Sequence, residues 1–267
     1  MVCANSSGSH RLPLLLIEKS KTPRPFRNVK KLPVVYRNQT KAWMNTNVFL
    51  DWYDNSFIPE VKAFQKKNGK EGKVLLILDN APTHPSTALL ERENGNFKVL
   101  FLPLTVASAI QPMNQGVIET LKRLYRKQLL RRLLMAESAD EENTVRFFKS
   151  LDLKDCCYML ADSWDSVKSS TLKNSWNNIF KTPGIAFSRH PEANGRDENS
   201  EIMTTLQEIP GCSDCGLDDV KEWLNCDSGD PGYEILSEEE ILAAVEKENR
   251  NEIKNDEEKS DVIPSHS

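Results

Sequence analysis

The residue best placed to do chemistry is Asp79. It follows the apolar run Lys73-Val-Leu-Leu-Ile-Leu and opens a loop that also carries Asn80 and His84. In open α/β sheets ligands gather at the carboxyl ends of strands, so a carboxylate there can hold a divalent metal. Asp-Asn is also a common turn initiator, and by itself the position leaves both roles open. A second set is cationic. Arg123, Lys127 and Arg131 step by four, Lys122 and Arg126 flank them, and Arg132 follows. On a helix such residues share a face at steps of about 6 Å. That face suits phosphates, which give salt-dependent, sequence-neutral binding; it equally suits an amphipathic helix with a solvated basic side. Cys212 and Cys215 form a C-x-x-C pair with Cys226 eleven residues on. A structural zinc needs four ligands, so free thiols are the expectation.

The elements that must position these groups follow from periodicity. Leu14–Ile17 and Val34–Tyr36 are short strand-like runs, each behind a proline, with the basic loop Lys21-Thr-Pro-Arg-Pro-Phe-Arg between them. Residues 46–67 carry Phe49, Trp52, Tyr53, Phe57, Val61 and Phe64 at helical steps. Pro59 predicts a break there. The runs 73–78 and 97–102 are apolar on both faces, as in a buried parallel sheet. Residues 86–94 suit a short helix, and 111–135 a long one with Pro112 in its first turn. Residues 144–180 suit two helices forming a cap or subdomain. The order predicts an α/β layered domain. Beyond His190 only Leu217–Leu224 and Ser237–Lys247, the latter with a capping box, are expected to order.

Composition constrains the partners. Residues 1–190 hold 29 Lys+Arg against 17 Asp+Glu, a net of +12, whereas residues 191–267 hold 6 against 22, a net of −16. A basic body with an acidic tail implies a polyanion partner, or a tail that competes for the same surface. No run approaches the ~20 apolar residues of a membrane helix, and the N-terminus lacks a secretory pattern, so no membrane partner is expected.

Taken in order, three motifs carry a resemblance. They are Leu78-Asp-Asn-Ala-Pro-Thr-His-Pro, Phe97-Lys-Val-Leu-Phe-Leu-Pro and Gln111-Pro-Met-Asn-Gln-Gly-Val-Ile-Glu-Thr-Leu-Lys-Arg-Leu-Tyr-Arg. Cys3-Ala-Asn-Ser-Ser-Gly-Ser-His, Lys41-Ala-Trp-Met, Phe57-Ile-Pro-Glu-Val, Trp164 and Trp176 add to it. Together they resemble the DDE endonuclease domain of the pogo, Tigger and jerky transposase group, to which centromere protein B is also similar. The resemblance covers residues 1–185 well and the tail loosely.

It implies an RNase H-like fold that cuts DNA with two Mg²⁺ ions held by three acids. Asp79 matches the aspartate of the second motif. Asn114, 35 positions later, stands where the third acid belongs, and its amide oxygen brings no charge. The first acid belongs to a motif upstream of Val2. Glu119 is a poor substitute, lying roughly 140° around the helix from Asn114.

The resemblance therefore implies an α/β, incomplete RNase H-like fold lacking its first central strand. The expected domains are a degenerate DDE domain at 1–138, a helical extension at 139–188 and an acidic, largely disordered tail at 189–267. The implied function is that of a non-enzymatic, nuclear, DNA-associated protein without a cofactor, where active relatives use Mg²⁺. Asp79 is the remaining acid and a weak metal ligand at most. Lys122, Arg123, Arg126, Lys127, Arg131 and Arg132 are the candidate nucleic-acid contacts. Two alternatives stay open: a protein-interaction module acting through the extension and tail, and a residual Mg²⁺-dependent endonuclease. A protein partner or self-association could complete the sheet.

Overall fold

The computed structural model describes residues 1–80, 84–103, 107–135, 141–180, 192–209 and 211–226. All of these fall within one compact unit, Met1–Asp230.

The chain opens with a tight antiparallel pairing. Leu12 N–H donates to the Cys3 carbonyl at 2.9 Å and Leu15 N–H to that of Met1 at 3.1 Å. Gly8 turns the chain at φ +68°, and a Cβ there would meet the Ser169 carbonyl at 2.5 Å, so only glycine lets residues 169–174 approach. Strand β1 (Leu15–Glu18) then pairs in parallel with β2 (Val35–Asn38), Leu15 opposite Val35.

Helix α1 (Thr46–Trp52) begins where the Asn45 side chain accepts from Val48 N–H at 2.9 Å. A π-helical turn (Tyr53–Phe57) leads into α2 (Ile58–Lys67). The break expected at Pro59 lies just upstream instead. Pro59 sits in the first turn of α2, and having no N–H it cannot serve the carbonyl four residues back. The widened turn absorbs that mismatch.

Strands β3 (Val74–Leu78) and β4 (Phe97–Phe101) form a second two-stranded parallel sheet, Leu78 opposite Phe101. Helix α3 (Thr87–Leu90) lies between them in sequence, with Leu90 wholly buried. Leu76, Leu78, Phe97 and Val99 pack against Phe49, Trp52, Tyr53 and Phe57. The opposite face corrects the expectation of strands buried on both sides: Leu75 is 55% and Leu100 47% exposed. The aromatic helix covers only one face of this sheet.

After α4 (Ala107–Ile110), residues Pro112–Asn114 form a separate 3₁₀ turn, and α5 runs from Val117 to Met135. The single helix expected over 111–135 is therefore corrected. Gly116, at φ +78°, divides it, because a left-handed residue cannot continue a right-handed helix.

Beyond α6 (Glu141–Ser150), helix α7 (Leu153–Ser166) starts with a capping box between Asp152 and Asp155. It is not an outlying cap. Cys157, Ala161 and Trp164 share a core with Ala4, Leu14, Val34, Val117 and Leu121, and Trp164 Nε1 donates to the Leu12 carbonyl at 2.8 Å. Short helices α8 (Ser169–Asn174) and α9 (Asn177–Phe180) follow. The expected domain boundaries at 138 and 188 fall among residues outside the described ones.

The acidic segment holds more structure than its composition predicts. Helix α11 (Leu217–Leu224) matches the expectation, whereas α10 (Glu192–Gln207) exceeds it. Ile202 and Val220 are wholly buried with Leu130 and Leu133 of α5. The early residues of α10 give no apolar period; only Ile202, Met203 and Leu206 supply one, and they need α5 to bury against. Ser237–Lys247 lies outside the described residues.

Candidate functional site

Asp79 stands at the carboxyl end of β3, where Leu102 N–H donates to the Leu78 carbonyl at 2.8 Å. Its carboxylate is half exposed, and Oδ1 lies 3.2 Å from His84 Nε2. The imidazole is buried, edge-on to Phe49 at 4.6 Å and stacked with Phe101 at 5.9 Å. A carboxylate accepts, so Nε2 carries the proton. Nδ1 is buried without a hydrogen-bond partner among the described residues.

Asn114 ends the 3₁₀ turn. Its Nδ2 donates to Gln111 Oε1 at 2.5 Å. Next to it, Gln115 Oε1 accepts from Asn178 Nδ2 at 2.8 Å, and Asn178 also donates to the Ala109 carbonyl at 3.0 Å. Among the described residues, Asp79 and Asn114 share no hydrogen-bond partner. The acids of α1 and the π-helical turn have partners of their own: Asp51 pairs with Arg37 and Asn55, and Asp54 with Arg92 by two bonds of 2.9 and 3.0 Å.

The two Mg²⁺ ions that the resemblance implies need a cluster of anionic oxygens against strong hydration. The donors here are one carboxylate tied to an imidazole and a neutral amide tied to a glutamine. Among the described residues no three His, Cys, Asp or Glu side chains gather to hold a metal. These residues do not fit a two-ion site. Glu119 is not a substitute either: it accepts from Arg123 Nη2 at 2.7 Å, one turn along α5.

The cations of α5 lie where the four-residue steps place them, but each is engaged within the chain. Lys127 and Arg131 both grip Glu201 of α10, Arg131 at 3.0 Å. Arg126 stacks over the Trp223 ring at 5.3 Å and donates to Cys226 Sγ at 3.3 Å. Arg132 reaches Asp155 at 3.8 Å. Lys122 also makes a contact within the chain. The Lys127 hydrogen bond, aided by attraction to Lys127 and Arg131, holds the Glu201 carboxyl below the ordinary glutamate range.

Sequence reasoning misses Gln111, Asn178, Glu201 and Trp223. Glu201 is visible there only as a member of an acidic segment and Trp223 only as part of the Leu217–Leu224 run, since their partners lie roughly 70 to 100 residues away. The six cysteines are free thiols. Cys212, between α10 and α11, packs in the apolar cluster there.

The profile of the DDE superfamily endonuclease family matches residues 1–176. Human Tigger transposable element-derived protein 7 is 35% identical over 237 residues, covering 85% of this chain and 42% of that protein. Human Jerky protein homolog is 32% identical over 70% of this chain and 31% of its own length. Mouse Jerky protein is 28% identical over 83% and 39%. The chain thus spans less than half the length of these relatives. No solved structure matches it. With an aspartate ending a strand, an apolar parallel partner strand and the Gln-Pro-Met-Asn turn all falling within the matched span, the chain belongs to the DDE superfamily endonuclease family.

Proposed function

We propose that this chain is a transposase-derived DDE domain that no longer cuts DNA and associates with nucleic acid, DNA above all, through phosphate contacts in the nucleus. One observation carries the loss of chemistry. The Asn114 amide, where the resemblance places the third acid, is held by Gln111, and among the described residues no three His, Cys, Asp or Glu side chains gather to hold a metal. The parallel β3–β4 pair with Asp79 at its end supports an RNase H-like architecture, of which the described strands supply an incomplete part. The net +12 of residues 1–190 supports a polyanion partner.

Purified protein is expected to leave supercoiled plasmid intact with Mg²⁺ or Mn²⁺. Metal-dependent nicking that Asp79→Ala abolishes would overturn the silent-site reading. In the same preparation, DNA affinity should fall linearly on a logarithmic salt scale, by about 0.9 per phosphate engaged.

A second reading, a protein-interaction module, is favoured by one finding: Lys127 and Arg131 already hold a carboxylate. Retention of a protein ligand with no affinity for DNA at any salt would select it. Among the described residues no helix is long and apolar enough to cross a membrane.

A further inference from the structure

The basic face of α5 is occupied by a charge-matched piece of the same chain. Helix α5 carries six cations and one acid, a net of +5, and residues 192–226 carry nine acids and two cations, a net of −7. Glu201 offers one carboxylate oxygen to Lys127 and the other to Arg131. This is how a phosphate would bridge two cations one helical turn apart. Trp223 offers Arg126 a flat aromatic ring at 5.3 Å, as a nucleobase would. Helices α10 and α11 thus present to α5 the two kinds of group that a nucleic-acid strand brings.

We infer that α10–α11 is a displaceable acidic mask, which occupies the phosphate-binding face of α5 and must yield its ionic edge before a polyanion can bind there. The inference rests on the nucleic-acid reading above. The construction suits displacement. The buried seam of Leu130, Leu133, Ile202 and Val220 tethers the mask, whereas at the rim Glu201 is 48% and Arg131 55% exposed, with Lys127 more covered at 18%. Exposed ion pairs are weak and screened by salt. A duplex, with one charge every ~1.7 Å of axis, outcompetes a single carboxylate without the apolar seam coming apart.

The test uses the full chain and a labelled duplex of arbitrary sequence, read by fluorescence anisotropy across a salt series. Glu201→Ala should bind roughly five- to ten-fold more tightly at low salt, with a salt slope steeper by about one to two, because two cations are released to phosphates. Adding Lys127→Ala and Arg131→Ala to that variant should erase the gain. Glu208→Ala removes an equal charge just past the end of α10, at an exposed position, and should change binding little. Wild-type binding that Glu201→Ala leaves unchanged, or that Glu208→Ala improves equally, overturns the mask while the nucleic-acid reading stands. No binding by any variant at any salt overturns both.

Discussion

Asn114 and Glu201 show how differently an amide and a carboxylate are held. An amide and a carboxylate have nearly the same shape, yet only the carboxylate contributes the charge a metal requires. At Asn114 the amide N–H donates to Gln111, a bond that an ionised aspartate could not make. Glu201 illustrates the opposite case, a charge whose value depends on pH. Its folded pKa is depressed from the ordinary 4.5, chiefly by the Lys127 hydrogen bond. Such a group stabilises the folded state above its unfolded pKa, and that stability is lost as pH falls through the folded value. Wild type should therefore melt above Glu201→Gln at neutral pH, and the two should converge as pH falls through the depressed folded value. Thermal melts in a pH series check this; a gap that persists undiminished in acid would show that the ion pairs do not carry it. Asp79 is legible in sequence because a strand end and a motif mark it locally. Glu201 is not, because nothing within ten residues of it names its partners.

The elements show where periodicity suffices and where it misleads. The aromatic steps from Phe49 to Phe64 correctly announce a helical run buried on one side. The same rule over-reads residues 111–135, since Pro112 suits a first turn and the pattern passes through Gly116 unmarked. Structure and sequence pattern make opposite predictions at this glycine. In a continuous helix, Gly116→Ala would stabilise by ~1 kcal/mol through helix propensity. At the observed φ of +78°, with nothing within 4 Å of the place a Cβ would take, it should instead destabilise by about 1 kcal/mol from backbone strain alone. Gly116→Asn should cost less, because asparagine tolerates the left-handed region. Denaturant midpoints of the three proteins decide it, and an alanine variant more stable than wild type would mean that the turn and α5 are one helix. The sheets mislead differently. An apolar run on both faces implies two covered faces, but covering depends on neighbours that a strand's own sequence does not contain. Periodicity therefore buries Leu75 and Leu100, and the fold exposes them.

At the scale of the whole molecule, three apolar clusters among the described residues divide the work, and α5 spans two of them. Val117 and Leu121 belong with the N-terminal hairpin and α7, whereas Leu130 and Leu133 belong with α10 and α11. The α1–α2 aromatics and the β3–β4 sheet form the third. Charge asymmetry between the halves is plain from composition, but its consequence is not. An acidic tail could equally have stayed solvated, and only the buried Ile202 and Val220 show that a part of it folds back. This partition predicts how damage spreads. Ile202→Ala empties a fully buried site and should cost about 2–5 kcal/mol locally. If the cluster opens as its own unit, amide exchange should quicken in α10, in α11 and in the second half of α5. The β1–β2 and β3–β4 strands should keep wild-type rates. Acceleration spread evenly over every strand and helix would mean that the clusters melt as one.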